Sequence, residues 1–155
     1  MKRELMIFGA IALLFTGVIT AGLGYLGTKA YLAAEANKTA AVTAVTEISK
    51  EWSVVGRYYI VDRSLINVAE TPRVEQFMRH IGRLGKLVKI KDARQVHFGM
   101  STTDGTTAII EFQGEFTNGT GKVIAKMRKA DGKMKLYGIK VEDGKLKPKK
   151  TETTA

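Results

Sequence analysis

The stretch MIFGAIALLFTGVITAGLGYL, Met6 to Leu26, contains no charged side chain, and no other feature restricts the chain more. A bilayer core of roughly 30 Å takes about 20 consecutive apolar helical residues, whereas the apolar region of a cleavable leader runs about 7–15. Leu5 to Leu26 therefore reads as a span that stays in place, a single-pass signal anchor. A leader also wants small residues just past its apolar run, and the best such pattern, Ala34-Glu35-Ala36, comes too late. The tail Met1-Lys2-Arg3-Glu4 carries two basic side chains and the α-amino group, which favours leaving it in the cytoplasm, although Lys29 and Lys38 soften the contrast across the span. The expected division is a cytoplasmic tail at 1–4, a transmembrane anchor at 5–27, an extracytoplasmic domain at 28–144 and a basic flexible tail at 145–155. In a bacterium this is an inner-membrane protein with a periplasmic domain. Within the span, Gly17 and Ala21 are four apart, as are Thr20 and Gly24. They form a face of small residues that lets a second helix approach closely, although glycine is also common in membrane helices generally.

Beyond the span about 125 residues remain, enough to bury a core without covalent staples. There is no cysteine, which excludes disulfides, thiolate metal sites, cysteine nucleophiles and a lipid-modified cysteine. Lys and Arg number 25 against 15 Asp and Glu, a formal charge of +10. Such an excess suits acidic lipid headgroups, an acidic partner or nucleic acid. The basic residues cluster at Arg79, Arg83, Lys86, Lys89, Lys91 and Arg94, at Lys122 to Lys135, and in the tail from Lys145 to Lys150. Aromatic residues are not interleaved with them as a stacking platform for single strands requires, and a membrane anchor makes nucleic acid an unsuited client.

Ala41, Val45, Ile48, Trp52, Val55 and Tyr59 recur at spacings of four and three, predicting an amphipathic helix from about Thr28 or Ala40 to about Ile60, with Trp52 packed under a sheet. Thr71-Pro72 has the form of a helix start, a capping hydroxyl followed by Pro at the first turn. Val74, Phe77, Met78, Ile81 and Leu84 then follow at helical spacing as far as Gly82 or Gly85. From Lys86 onward the pattern changes. Asp104-Gly105, Asn118-Gly119, Asp131-Gly132 and Asp143-Gly144 tolerate the positive φ of tight hairpins. Between them Arg94–Met100, Thr106–Phe116, Lys122–Lys129 and Lys133–Glu142 read as four antiparallel strands. In the second, Ile110, Phe112, Gly114 and Phe116 alternate with Ile109, Glu111, Gln113 and Glu115, so one face is buried and one wet. The apolar phase shifts at Tyr137, which points to a bulge there or to a strand covered on both faces. Helices first and a meander after them give an α+β domain with helices packed on one sheet face.

TPRVEQFMRHIGRLGKLVKI followed by FQGEFTNGTGKVIAKMRKADGKMKLYGIKVEDG resembles the membrane-anchored cytochrome oxidase complex assembly factor family. That family has one N-terminal span, a helix running into a Leu-Gly turn, and strands separated by a step of the form Asp-Gly-aromatic-x-Leu. Here Met134 stands where the aromatic is expected. The same stretch, roughly Thr71 to Gly144, is similar to cystatin-like and nuclear-transport-factor-like envelope domains, in which a helix lies across a curved sheet. The Trp52 helix is closer to those domains than to the assembly factors. The resemblance implies binding or assembly work at a membrane protein complex, with no catalytic residues and no cofactor.

Motifs of known chemistry are incomplete in the chain. Gly119-Thr120-Gly121-Lys122-Val123 lacks the upstream Gly and the hydroxyl residue of a phosphate loop. Gly99-Met100-Ser101 does not complete a nucleophile elbow. His80 and His97 are the only histidines, and neither has a neighbouring ligand in sequence. Acid–base chemistry would rest on Asp92, Glu111 or Glu115 in a sheet cavity. The expected function is thus a non-catalytic, membrane-anchored accessory subunit or assembly factor. Its partner contact would lie on Arg79 to Arg94 and its helix contact on Gly17, Thr20, Ala21 and Gly24. The alternatives are a small-ligand or isomerase-like curved-sheet domain and a basic lipid-surface domain.

Overall fold

The computed structural model describes residues 27–147. The apolar run, with Gly17, Thr20, Ala21 and Gly24, and the tail beyond Lys147 lie outside the described residues. Among the described residues no helix is long and apolar enough to cross a membrane. The chain divides into two compact units, 1–36 and 37–155. Helix α1 covers residues 27–49, so the described part of the first unit is helical. All that follows concerns the second.

The second unit is α+β. After the later turns of α1 come α2 (Arg63–Asn67) and α3 (Pro72–Gly82), then β1 (Leu87–Ser101), β2 (Gly105–Phe116), β3 (Gly119–Ala130) and β4 (Lys133–Leu146). The strands pair antiparallel in the order β1-β2-β3-β4, the meander predicted from the turn residues. The alternation in β2 also holds. Ala108, Ile110, Phe112 and Phe116 are buried beside Val123, Ala125 and Met127 of β3, and Ala41, Ala44, Val45 and Ile48 of α1 join the same core. Met78 and Ile81 of α3, with Leu84 just beyond it, complete the helical side. The sheet's inner face is therefore filled by side chains from helices.

Three differences from the predicted elements have physical causes. First, α1 stops at residue 49 and leaves Val55 and Tyr59 57% and 61% exposed. The Ser49 hydroxyl donates to the Thr46 carbonyl and accepts the Leu87 N–H, while Trp52 takes φ 49. Tertiary contacts thus end a helix whose apolar period continues. Second, Asp143-Gly144 is no hairpin. It is a bulge inside β4, where the register slips between Thr120 and Lys122 and Asp143 adopts φ 51. Lys145 and Leu146, assigned to the tail from sequence, pair with Thr120 and Gly119. Third, Thr71 precedes α3, with Pro72 at its first turn, but its hydroxyl makes no cap and donates to the Val68 carbonyl at 2.6 Å. The bulge expected near Tyr137 is present: Lys126 pairs with Gly138 and Met127 with Leu136, leaving Tyr137 unpaired between them.

Both sheet edges are interrupted. Register shifts fall at three places along β1. On the other edge Val61 bridges Leu136 in parallel, with the Asp62 N–H donating to the Leu136 carbonyl and the Leu136 N–H to the Ile60 carbonyl, both at 2.8 Å. Bulges and a covering segment of this kind keep edge strands from pairing indiscriminately.

Candidate functional site

The β2–β3 turn, Thr117-Asn118, holds together one corner of the domain. The Asn118 N–H donates to the Leu84 carbonyl and its side-chain amide to the Arg83 carbonyl, at 2.9 and 3.3 Å. The Thr117 N–H donates to the Lys86 carbonyl, and the Lys86 N–H returns a bond to the Thr117 hydroxyl. The Lys147 N–H donates to the Asn118 carbonyl, and its ammonium lies 3.4 Å from the Thr117 carbonyl. One two-residue turn thus places Arg83, Lys86 and Lys147 side by side at the end of the sheet. Arg83 and Lys86 are exposed and make no ion pair among the described residues.

Beside this corner runs an open groove of about 720 Å³ between the end of α1 and α3, with Trp52 and Met78 in its lining and Lys50, Arg79 and Lys86 at its rim. A non-glycine residue at positive φ carries ~1–2 kcal/mol of backbone strain, and Trp52 is held there by its surroundings. Its indole N–H donates to the Gly85 carbonyl at 2.9 Å, its ring lies 5.8 Å from that of Phe116, and only 8% of it is exposed. Gly85 has φ 78, and a Cβ there would overlap the Thr117 hydroxyl, so only glycine lets the turn close on the indole. A smaller recess of about 270 Å³, lined by Val54, Val55, Ala69 and Val74, also borders Trp52.

The six predicted contact residues do not form one patch. Arg79 lies on α3 and pairs with Glu75 at 2.6 Å. Arg83 and Lys86 belong to the corner. Lys89, Lys91 and Arg94 lie on β1, and two of them are bound to carboxylates: Lys91 to Glu115 at 2.5 Å and Arg94 to Glu111 at 3.1 Å. Glu111 also binds Lys122 at 3.2 Å. The sequence shows a basic run but not the acidic strand that hydrogen-bonds beside it. Two members of the site, Lys50 and Lys147, are remote in sequence from that run: Lys50 is placed by the end of α1, and Lys147 by the bond from its N–H to the Asn118 carbonyl.

Glu111 and Glu115, two of the carboxylates singled out from sequence, are engaged by cations. Hydrogen bonds from Arg94 and Lys122 hold Glu111 below its usual range, and the bond from Lys91 does the same for Glu115. Asp62 is buried, which alone would raise its pKa. Bonds from the Ser64 hydroxyl and N–H, with Arg128 and Lys135 nearby, outweigh burial and hold it below 3.8. Its job is visible in those bonds: it caps α2. Among the described residues no group of three or more His, Asp or Glu is placed to hold a metal ion. Asn37 and Asn118, each the first residue of a glycosylation triplet, spend their amides on Gln95 and the Arg83 carbonyl.

No family model matches the chain, and no curated protein or solved structure matches it either.

Proposed function

We propose that this chain is a single-pass, membrane-anchored binding module without catalytic activity, an accessory subunit or assembly factor of a membrane protein complex. The reading places a cystatin-like, helix-over-sheet domain on the extracytoplasmic face, behind an anchor made of the apolar run ending at Leu26. The observation that carries it is the corner built on Thr117-Asn118. There, Lys86, a cation without a carboxylate partner, borders a groove containing a strained but firmly bonded tryptophan, beside Lys50 and Arg79, which are paired with Glu47 and Glu75. Such a surface attracts an acidic partner electrostatically and offers it an apolar seat, and positive rims of this kind set encounter rate and register more than affinity. Tethering supplies the rest, because confinement to the bilayer raises the local concentration of the domain near any complex in the same membrane.

Charge reversal tests it. Full-length protein carrying Arg83→Glu, Lys86→Glu and Lys89→Glu, purified in mild detergent from native membranes, should recover its co-migrating complex in clearly lower yield than the parent. Trp52 emission serves as a check that the fold is intact. Equal recovery would remove the corner from the interface. Recovery of no complex by the parent chain would remove the subunit reading itself.

A further inference from the structure

The last turn of α3 and the bulged end of β4 border a recess of about 170 Å³. His80 and Arg83 stand three residues apart at the end of the helix, Arg83 still in the right-handed helical conformation, so the two lie on one face. Ile81 and Leu84 line the recess from the helical side, and Val141 and Leu146 from β4. Leu146 is 56% exposed, an apolar wall open to solvent. No carboxylate is in the lining. The groove beside Trp52 has Glu51 and Glu75, the recess that shares Trp52 has Glu70 and Glu75, and a shallow one on the outer face has Asp92 and Glu111. Here Glu142 and Asp143, the acidic neighbours along β4, stay outside the lining, and Glu142 is bound to Lys140. Arg83 is exposed and makes no ion pair among the described residues. Open carbonyls make a helix C-terminus unfavourable to anions. At this one they are taken: His80 and Ile81 accept the Arg83 N–H, Gly82 the Gly85 N–H, Leu84 the Asn118 N–H and Arg83 the Asn118 amide.

Gly144 keeps the recess open. It does not sit at positive φ, and a Cβ there would meet only Leu84, at 3.8 Å, an ordinary contact. Gly119 and Gly121, on the facing strand, differ: a Cβ on the first would overlap the Lys145 carbonyl, and one on the second would lie 2.8 Å from the Val141 side chain. Crowding requires those two glycines, whereas neither backbone nor packing requires Gly144, and the space a larger side chain would take there is the recess. We infer that the recess binds a small free carboxylic acid with an apolar body, the hydrocarbon resting on Ile81, Leu84, Val141 and Leu146 and the carboxylate held by the Arg83 guanidinium and the His80 ring. A guanidinium takes a carboxylate through two parallel N–H bonds, a geometry that a single ammonium lacks. A cavity of ~150 Å³ admits a benzene ring, so a ring of that size fits beside the charged head. The site lies wholly within the unit from Asn37 onward. It needs neither the anchor nor a partner complex, and so stands or falls apart from the proposed function.

Para-fluorobenzoate is the probe. Full-length protein in an uncharged detergent is titrated into it, and binding is read from the fluorine NMR linewidth against micelles alone. Saturable broadening with a Kd of ~1 mM is expected for a ligand of about ten heavy atoms. Para-fluorobenzamide, the same ring without the charge, should bind roughly tenfold more weakly, the size expected for a charge-assisted pair. Gly144→Leu, which fills the recess, and Arg83→Gln, which removes the guanidinium, should each weaken benzoate binding by roughly tenfold. Lys129→Gln, which removes the same charge at the far end of β3, should leave it unchanged. Circular dichroism checks that each variant is folded. The Arg83 side chain lies outside the core, so its result decides the matter if Gly144→Leu fails to fold. Equal affinity for the amide, or unchanged affinity in Arg83→Gln, overturns the carboxylate assignment. Unchanged affinity in Gly144→Leu moves the binding elsewhere and overturns the site. An equal loss in Lys129→Gln reduces the effect to overall charge and overturns it too, as does broadening that never saturates or that micelles alone reproduce.

Discussion

The two faces of the sheet are built from the same strands and solve opposite problems. On the inner face Ile110, Val123, Met127 and Leu136 are fully buried and Phe112 is 2% exposed, packed against α1 and α3 without a polar group among them. On the outer face, Arg94, Glu111 and Lys122 form one chain of ion pairs across β1, β2 and β3, and Lys140–Glu142 continues it on β4. Burial is worth ~25 cal/mol per Å² and is not weakened by charge screening. Exposed ion pairs contribute ~0–1 kcal/mol each and are screened. The burial that stabilises this domain therefore lies on one side of a four-stranded sheet, while the other side is tied by exposed ion pairs. The +10 charge is thus distributed unevenly in effect, because Lys91, Arg94, Lys122 and Lys140 on the outer face are bound to carboxylates and Arg83 and Lys86 at the corner are not.

Breaking the inner face should have the largest effect. Phe112→Ala removes a large side chain from the centre of β2, and ~3–5 kcal/mol of stability should go with it through lost transfer energy and the cavity left behind. Urea unfolding followed by Trp52, the only tryptophan, measures this directly, and a loss under ~1 kcal/mol would mean the face is loosely packed. Trp52→Phe sits at the margin of that face. It keeps a ring against Phe116 but abandons the bond to the Gly85 carbonyl, so ~1–2 kcal/mol is expected, read by circular dichroism.

Much of this division was readable in the chain. Alternation in β2 identifies both faces, because each residue's side is fixed by the period of two, and the Tyr137 phase shift locates a bulge that the register confirms. Asp131-Gly132, with φ 52 and 75, forms the turn its residues require. What was not readable depends on partners distant in sequence. Nothing in the two dipeptides themselves distinguishes Asp143-Gly144 as a bulge from Asp131-Gly132 as a turn: both aspartates take positive φ, 51 and 52, and only Gly132 joins its neighbour there. The end of α1 is decided by Leu87 and Gly85, some 35 residues away, through Ser49 and Trp52. The basic run looked continuous because its acidic counterparts, Glu111 and Glu115, are brought to it only by strand pairing.

Asp62 joins the two faces and sharpens the comparison at acid pH. It sits where residues 60–62 meet β4, 8% exposed, capping α2 and close to Arg128. The Arg128 guanidinium lies 4.5 Å above the Tyr137 ring, and its Nε is buried without a hydrogen-bond partner. The folded-state pKa of Asp62 lies below the ordinary 3.8. Its contribution is therefore complete above the range in which the unfolded chain protonates, and is lost as pH falls through the folded-state value. Asp62→Ala should cost ~1 kcal/mol at neutral pH through the lost cap. Asp62→Asn should flatten the acid arm of the stability profile below about pH 4.

Glu111, Glu115 and Glu142 are likewise held low by their cationic partners, so their effect has the same sign and the same acid window. They differ in exposure to salt. Glu111→Gln should change the urea midpoint least of all, because its pairs with Arg94 and Lys122 lie on the outer face and are screened. Whatever effect remains should vanish in 1 M salt, where the Debye length falls to ~3 Å. The Asp62→Asn difference should survive the same salt, since it comes from direct hydrogen bonds from Ser64 and not from charge pairs across the sheet. If both differences disappear together, Asp62 belongs electrically to the outer face; if neither does, the Arg94–Glu111–Lys122 chain is desolvated by something that covers the outer face in solution.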